Sequence, residues 1–435
     1  MVSVTPPAKV CELAVTLDAA DALPAYAYDL AALDAHAAAI RAALPAQVEL
    51  YYAVKANPDA AVLRTVARHA NGLEVSSGGE LAHAAQAVPG SPLAFGGPGK
   101  TGAELAQAIA AGTARFHVES PHELRLLGAA AAAAGRPADV LLRVNPAPAP
   151  GVPSALSSAA ASAGSAAAAS AGGAAAASAS SSSGAPPAPA HSAAALVMGG
   201  RPSPFGMDPD LLGQCGPVLT ELGGLVRLRG LHAHTASGLD ADDLVAAAAR
   251  LLTFGRDWCG RHGVPAPEFN LGGGMAVDYR RPDSVFDWER YGRGLAALTR
   301  PGETLRIEPG RAVTAYCGWY LTRVLDVKHS HGEAFAVIAG GTHHLRTPVA
   351  KGHDQPFAVI PVSRWLPGWT RPGTGAGSVT VCGQLCTPKD ALAAQVPVKG
   401  VHAGDLIAFG LAGAYAWNIS HQSFLMHPPP AFHYF

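Results

Sequence analysis

Short apolar runs and longer amphipathic stretches alternate along the first part of the chain. The stretches between the runs repeat their apolar positions every three or four residues, as helices do. Strands separated by helices of this length predict βαβ units and a parallel sheet, and so many units in succession favour a (β/α)8 barrel. The predicted strands are PAYAYDL, VELYYAVKAN, GLEVSS, PLAFGG, ARFHVES and ADVLLRVNP.

The alternation resumes near residue 200, through VRLRGLHAHTASG, EFNLGGGMAVDY and TLRIEPGR. After Arg311 it gives way to short β-rich runs separated by Gly and Pro turns. This change predicts a separate all-β domain, so the fold class is α/β plus all-β. We predict a TIM-like barrel over 25–310, a C-terminal β-sandwich or β-barrel domain over 311–435, and an N-terminal segment, 1–24, that pairs with the β-domain.

One stretch breaks the pattern: residues 147–195 are almost wholly Ala, Ser, Gly and Pro. A segment with hardly any large apolar side chain cannot offset its ordering entropy by burial. We therefore predict a disordered surface insertion between barrel elements. A linker to a further domain is the alternative, but no separate domain flanks the segment.

Composition narrows the function classes. A net charge of −1 and a charged fraction of 14% predict neither a nucleic-acid surface nor a polybasic membrane anchor. The first residues lack the pattern of a signal peptide, and a cytoplasmic location is expected. The scattered cysteines indicate neither a disulfide framework nor a zinc site, and reduced thiols are expected for Cys11, Cys215, Cys259, Cys317, Cys382 and Cys386.

Lys55 follows the apolar run VELYYAV, and Asn57-Pro58 ends that run. The lysine is therefore expected where a strand gives way to a loop. Desolvation there would lower its pKa and make it an amine nucleophile towards carbonyl groups. A surface lysine with an exposed ammonium group is the alternative.

Two further motifs follow predicted strands. Gly272-Gly273-Gly274 comes directly after EFNL, where its amides could approach an anion, although a tight turn would explain the glycines equally well. Glu308-Pro309-Gly310-Arg311 ends the next strand, and its arginine could bind phosphate or form a local ion pair. An imine-forming amine, a phosphate site and an acid together suit pyridoxal 5'-phosphate.

These motifs resemble those of the fold-type III pyridoxal-phosphate decarboxylases, the diaminopimelate and ornithine decarboxylase family. Members of that family join a (β/α)8 barrel to a β-domain, in the alanine racemase/ornithine decarboxylase-like fold. The matching segments occur in family order and are YYAVKAN, EVSSGGEL, LLRVNP, GLHAHTASG, NLGGGMAVDY, EPGR, GQLCTPKD and GDLIAFGLAGAY.

The resemblance implies a role for each matching residue. Lys55 would hold pyridoxal phosphate as a Schiff base, His234 would stack on its ring and Glu308 would pair with the ring nitrogen. Cys386 matches a thiol that reaches the active site of the partner subunit, which implies a homodimer with shared active sites. The phosphate would be held by Ser237, Gly273, Gly274, Arg311 and Tyr415, and Glu80 and Arg143 match positions near the ring.

Departures from the family pattern bear on the substrate. Ile338 lies where related decarboxylases place an acid for a distal amine, and Thr387 replaces another acid. His343, His344 and Arg346 instead suit a carboxylate or a polar acyl group. With GAYAWNISHQSFLMHP, these residues look like the siderophore-biosynthesis branch, which acts on citryl-diaminopropionate-type conjugates.

Several alternatives stay open. The substrate could instead be diaminopimelate, another basic amino acid or an aminoacyl group on a carrier protein, and an amino-acid racemase shares the barrel and lysine but lacks the acid corresponding to Glu308. A non-enzymatic carrier of pyridoxal phosphate would lack the β-domain and the GQLCTPKD motif. His232 and His234 form an H-x-H pair, but we predict no metal there.

Overall fold

The protein is represented by a computed structural model that describes residues 4–146, 196–197, 200, 202–234, 236–348 and 352–435. The predicted low-complexity insertion, residues 147–195, lies outside the described residues. Within the described residues, no helix combines the length and apolar character needed to span a membrane.

Eight parallel strands close into a barrel, which confirms the architecture predicted from the alternating pattern. Around the barrel the strands are Val48–Ala53, Gly72–Val75, Leu93–Phe95, Arg115–Val118, Ala138–Arg143, Val226–His232, Glu268–Asn270 and Thr304–Ile307. The connecting segments contain the helices Leu30–Ala43, Ala60–Ala67, Gly78–Ala87, Gly102–Ala110, Pro121–Ala134, Pro209–Gly213, Cys215–Leu222, Ala241–Arg261 and Trp288–Leu298.

Side-chain caps fix where several helices begin after the strands. Ser77 and Ser120 accept hydrogen bonds from the backbone N–H groups of Glu80 and Glu123, at 3.1 and 3.0 Å. Thr101 forms a reciprocal capping box with Glu104. Each cap satisfies an N–H group that the first helical turn leaves without a partner. The loops at the carboxyl ends of the barrel strands are thereby held in defined positions.

Charged side chains fill the barrel near the amino ends of the strands. Glu268 accepts hydrogen bonds from Arg115 Nε at 2.7 Å and from Arg306 Nη2 at 3.3 Å. Arg306 is almost completely buried, also binds Glu49 through Nε at 2.9 Å, and lies 4.5 Å from the Tyr51 ring centroid. This end of the barrel is therefore closed by paired charges.

Replacing Glu268 by alanine should lower the free energy of unfolding by about 3–5 kcal/mol, because two largely buried guanidinium groups lose a shared carboxylate. Thermal unfolding measures the change, and cofactor affinity should stay near the wild-type value. Glu289→Ala is the matched control, since Glu289 forms only an exposed pair with Arg293. Equal stability losses in the two variants would contradict a structural role for Glu268.

The second domain is built on a sheet of eight strands. Its main path runs through Phe357–Ile360, Leu406–Phe409, Gly318–Ser330, Glu333–Ile338, Gly377–Cys382 and Ala391–Val398. Two short strands, Gly373–Thr374 and Val401–His402, pair separately. This domain confirms the predicted β-rich half of the fold.

The strand Ala25–Tyr28 corrects the predicted start of the barrel at residue 25. It pairs antiparallel with Gly318–Ser330 and parallel with the last strand, Ala431–Tyr434. All four of its residues are buried. Tyr26 and Tyr28 stack on Phe432 and Tyr434, whereas Ala25 and Ala27 belong to a separate apolar cluster. The strand therefore belongs to the second sheet, although its local pattern resembles that of the barrel strands.

The helix Ala8–Ala19 packs on the same sheet. Its residues Val10, Ala14 and Leu17 form a small apolar core with Trp319 and Leu406. The helix and the strand Ala25–Tyr28 therefore both contact the strand Gly318–Ser330.

Candidate active site

Lys55 lies one turn beyond the strand Val48–Ala53, in the short 3-10 helix Val54–Ala56. Its neighbours Val54 and Ala56 are buried, whereas the Lys55 side chain is 45% exposed. Asn57 anchors this turn to the second domain, since its Nδ2 donates to the Gly413 carbonyl at 2.9 Å. The lysine is thus placed at the carboxyl end of a barrel strand, where barrel enzymes build their active sites.

The Lys55 ammonium group forms an ion pair with Glu74, on the adjacent strand Gly72–Val75. Ser76 Oγ donates to the other Glu74 oxygen at 2.9 Å. Burial lowers the pKa of Lys55, but Glu74, Tyr415 and Glu308 raise it more, so the net shift is upward. The expected lowering of the lysine pKa is therefore wrong for the cofactor-free protein, because a buried carboxylate outweighs desolvation.

Replacing Glu74 by glutamine should lower the pKa of Lys55 by about 1–3 units, since an adjacent opposite charge is removed. The midpoint of the pH dependence of cofactor binding should fall accordingly, and stopped-flow absorbance measures it. Glu289→Gln, at an exposed carboxylate on the helix Trp288–Leu298, is the control. An unchanged midpoint in Glu74→Gln would contradict control of the lysine by this carboxylate.

Glu308 follows the strand Thr304–Ile307 and is 7% exposed. Asn270 Nδ2 donates to Glu308 Oε1 at 2.6 Å. Burial and the nearby Glu74 carboxylate raise the pKa of Glu308 to about 7, against the opposing effect of Lys55. A carboxyl group poised near neutral pH can accept a proton from, or return it to, a basic ring nitrogen.

Two buried histidines face the same carboxyl group. His117 Nε2 lies 3.7 Å from Glu308 Oε1, and His232 Nε2 lies 3.6 Å from Oε2. The ligand atoms of these three residues lie within 4.8 Å of one another, which is close enough to suggest a metal site. However, Asn270 Nδ2 hydrogen-bonds both His117 Nε2 and Glu308 Oε1, so an N–H donor occupies that space.

The glycine triplet packs too closely for any side chain. A Cβ atom on Gly273 would lie 2.4 Å from the Glu308 carbonyl oxygen, and one on Gly274 would lie 2.3 Å from that of Ala236. Gly272 and Gly274 also have positive φ angles, 68° and 108°. The backbone of the triplet can therefore approach its neighbours, and a bound group, closely.

His234 is held in one tautomer. The Gly273 N–H donates to His234 Nδ1 at 2.9 Å, so the ring proton lies on Nε2, 3.4 Å from Ser237 Oγ. Burial lowers the pKa of His234 to about 3, and the ring is neutral. The Gly273 N–H group therefore already has a hydrogen-bond acceptor, His234 Nδ1. Among the described residues, His234 is not part of the group formed by His117, His232 and Glu308.

Arg311 lies between two tyrosines. Its Nη1 donates to the Tyr279 hydroxyl at 2.6 Å, and the guanidinium carbon lies 4.5 Å from the Tyr415 ring centroid. Tyr415 comes from the second domain, and its N–H donates to the Ala56 carbonyl beside Lys55 at 2.7 Å. Both domains therefore contribute to the region predicted to hold phosphate.

Glu80 and Arg143 follow or end two different barrel strands. Glu80, in the first turn of Gly78–Ala87, accepts a hydrogen bond from the Ser76 N–H at 2.7 Å, and burial raises the pKa of its carboxyl group. Arg143 pairs with Glu119 at 2.5 Å and lies 5.1 Å from the Phe205 ring centroid. Both side chains are thus held by partners of their own.

Cys386 is exposed. The loop that carries it is held by Asp390, which accepts from the Leu385 N–H at 2.8 Å and from the Thr342 N–H at 2.6 Å. The thiol therefore does not pack as a small buried residue within this chain. Thr387, next to it, is partly exposed.

The predicted substrate residues are not equally accessible. His344 accepts from the Tyr320 hydroxyl at 3.0 Å and its Nε2 donates to the Pro428 carbonyl at 3.0 Å. Burial lowers the pKa of His343 to about 4 and that of His344 to about 3. Both histidines are buried, and their role as substrate ligands stays a prediction. Arg346 is exposed, and its guanidinium makes no ion pair with the described residues.

Sequence reasoning missed several polar residues of the site. For Glu74, His117 and Asn270, a polar side chain inside a barrel strand is the signal that could have found them, because alternate strand positions point into the barrel. Glu119 and Tyr279 lie outside the strands, and no such signal marks them. The missed residues are Glu74, His117, Glu119, Asn270 and Tyr279.

Comparisons with known proteins agree with the fold. A family model described as pyridoxal-dependent decarboxylase, C-terminal sheet domain, matches residues 25–413. The 2-[(L-alanin-3-ylcarbamoyl)methyl]-2-hydroxybutanedioate decarboxylase of Staphylococcus aureus is 34% identical, over 94% of this chain and 93% of that protein. The L-glutamyl-[BtrI acyl-carrier protein] decarboxylase of Niallia circulans is 28% identical, over 94% of this chain and 87% of that protein.

Solved structures with the same fold include diaminopimelate decarboxylase from Helicobacter pylori complexed with L-lysine. Its TM-score is 0.75 at 21% identity, covering 95% of this chain and 91% of that one. Lysine/ornithine decarboxylase from Vibrio vulnificus, complexed with putrescine, has a TM-score of 0.73 at 18% identity, covering 99% of each chain. The chain belongs to the family of pyridoxal-phosphate-dependent amino-acid decarboxylases with a C-terminal sheet domain.

Proposed function

We propose that this decarboxylase releases the α-carboxylate, as CO2, from an amino-acid conjugate that carries further carboxylates, of the citryl-diaminopropionate kind. The observation that carries the proposal is Ile338, which is apolar and fully buried where a distal amine would need an acid. Arg346, which is exposed and has no ion-pair partner among the described residues, offers a guanidinium to a carboxylate instead. The name of the Staphylococcus aureus relative describes such a conjugate.

The cofactor residues have separate tasks in this proposal. Lys55 would hold the cofactor and give it up to the substrate amine, and Glu308 would face the ring nitrogen. Arg311 and the glycine triplet would hold the phosphate, with Ser237 and Tyr415 beside them. The fit rests on an exposed amine among buried residues and on a backbone triplet with no room for side chains. Bound pyridoxal phosphate supplies the electron-withdrawing ring that lets a bond to Cα break.

The remaining residues control protons and water. Neutral His234 offers an uncharged ring face beside Lys55, so it adds no positive charge to the site. Glu80 and Arg143 would border the ring. After CO2 leaves, Cα must gain a proton, and the Cys386 thiol or the Lys55 ammonium group is the proposed donor. Thr387, beside Cys386, would contact the substrate.

We propose a homodimer in which the exposed Cys386 of each subunit completes the active site of the other. Exposure of a thiol on a well-held loop supports this proposal, since such a group is available to a second subunit. A cytoplasmic location, with reduced thiols, is proposed with it. We also propose the domain division already described, with 1–24 and Ala25–Tyr28 joined to the sheet domain and 147–195 as an insertion.

A carrier-bound aminoacyl group is the second candidate substrate. The name of the Niallia circulans relative, an acyl-carrier protein decarboxylase, favours it. Free diaminopimelate and other basic amino acids are less favoured, because Ile338 gives a distal ammonium group no partner. The racemase and cofactor-carrier alternatives do not apply, since the family consists of decarboxylases.

CO2 release should be compared for citryl-diaminopropionate, diaminopimelate, ornithine, lysine and a carrier-bound glutamyl group. We expect the citryl conjugate to have the highest kcat/KM. Arg346→Gln should raise the KM for the citryl conjugate about tenfold, because a hydrogen bond to a charged group contributes roughly 1.5–3 kcal/mol. Arg293→Gln, an exposed arginine on a barrel helix, is the control. Faster turnover of diaminopimelate would overturn the proposed substrate class.

A further inference from the structure

The carboxyl group of Glu308 has different surroundings at its two oxygens. Oε1 accepts a 2.6 Å hydrogen bond from Asn270, whose own Oδ1 accepts from the Gly272 N–H at 2.9 Å. Oε2 accepts no hydrogen bond from the described residues, and His232 Nε2 lies 3.6 Å from it. One side of the carboxyl group is therefore fixed, and His232 lies at the other.

His232 is buried without a hydrogen-bond partner. It is 4% exposed, and neither Nδ1 nor Nε2 finds a partner among the described residues. Its ring lies against that of His117, with centroids 4.2 Å apart. A buried imidazole with two unsatisfied nitrogens is unfavourable for stability, so its presence calls for a role beyond packing.

Burial keeps both histidines uncharged, with the pKa of each well below its ordinary value. A neutral imidazole has one N–H donor and one acceptor. His117 Nε2 is the acceptor of its ring, since Asn270 Nδ2 lies 3.2 Å away. His232 has no such restriction and can direct an N–H group towards Glu308 Oε2.

We propose that His232 is a positioning residue that holds the second oxygen of Glu308 with a neutral ring N–H, opposite the Asn270 amide. The proposal rests on the role of Glu308 proposed above but not on the identity of the substrate. A donor at Oε2 favours the carboxylate form, which a protonated ring nitrogen of the cofactor requires. A neutral donor does so without placing a second positive charge beside that nitrogen.

The other groups around Glu308 make such a donor useful. Burial and the Glu74 carboxylate favour the protonated form, whereas Lys55 and Arg306 favour the charged form. Lys55 is also the residue proposed to bind the cofactor, so its free ammonium group would no longer be available to pair with Glu74 and act on Glu308. His232 does not bind the cofactor covalently, so its proposed hydrogen bond to the Glu308 carboxylate would persist after cofactor binding.

The test compares His232→Phe, which removes the donor, with His232→Gln, which keeps an N–H group. In the cofactor-free protein, carbon NMR with labelled glutamate follows the titration of the Glu308 carboxyl group. The Glu308 signal is assigned as the one that is absent from the spectrum of the Glu308→Gln variant. We expect His232→Phe to raise the Glu308 midpoint by about 1 unit and to weaken pyridoxal phosphate binding about tenfold. His232→Gln should restore most of both.

A double-mutant cycle separates positioning from packing. If His232 acts through Glu308, His232→Phe should cause little further loss of cofactor affinity in the Glu308→Gln background. His329→Gln, on an exposed strand end of the sheet domain, is the control. If phenylalanine prevents folding, His232→Leu removes the donor with a smaller side chain.

An unchanged Glu308 midpoint in His232→Phe, or an equal loss of affinity in both backgrounds, would overturn the proposal. These readouts are independent of substrate choice and of CO2 release. If the citryl conjugate proves not to be the substrate, the result for His232 still stands. If His232 proves not to position Glu308, the proposed substrate class is equally unaffected.

Discussion

Replacing Lys55 by alanine should abolish decarboxylation, with a loss on the order of 10³-fold or more, because no other group can form the imine at this position. The Lys55 ammonium group is paired with Glu74 and lies where the barrel opens. Lys100, by contrast, is buried and donates to the carbonyls of Gly97 and His117 and to Glu123. CO2 release measures the loss.

Lys55→Arg is the informative companion, since arginine keeps a positive charge beside Glu74 but cannot form an imine. It should fold as stably as the wild type and remain inactive. Borohydride reduction followed by peptide mass spectrometry should attach the cofactor to Lys55 in the wild-type protein alone. A label on any other lysine would show that the amine has been assigned to the wrong residue.

Cys386→Ala should reduce turnover by about 10²-fold, because a positioned general acid contributes an effect of at least this order. Cofactor binding should remain close to wild type, since the thiol lies on an exposed loop of the sheet domain and does not belong to the barrel. Steady-state kinetics and cofactor titration separate the two effects. The matched control is Cys382→Ala, whose thiol points to the Ala336 carbonyl at 3.7 Å.

Mixing inactive variants tests whether the thiol acts across subunits. A random mixture of Lys55→Ala and Cys386→Ala chains should recover about a quarter of the wild-type sites, since half of the dimers are mixed and each has one intact site. No recovery, together with a separate loss of activity in Cys386→Ala, would indicate that the thiol serves the subunit that carries it.

The barrel could be predicted because its evidence is local. Each strand and helix has its own period, and caps such as Ser77 and Thr101 mark where helices begin. The placement of Ala25–Tyr28 could not be predicted in the same way, since its partners lie about 300 and 400 residues away along the chain and local periodicity carries no information about them.

The site was predictable only in part. Residues in distinctive motifs, such as Lys55 and Glu308, could be proposed from sequence. Glu74 and Asn270 stand alone in apolar strands, and only the closed barrel brings them to Lys55 and Glu308. The burial of the histidines at 343 and 344 could not be predicted either, because a polar residue type does not show whether the side chain is buried.

The position of Ala25–Tyr28 between Gly318–Ser330 and Ala431–Tyr434 has a consequence for folding. A ribosome makes this strand early, but both of its neighbours emerge hundreds of residues later. Contacts of such high sequence separation form slowly. The barrel helices and strands can assemble while the early strand stays unpaired, so its exposed edge needs protection during synthesis. We therefore expect closure of the sheet domain to be the last step of folding.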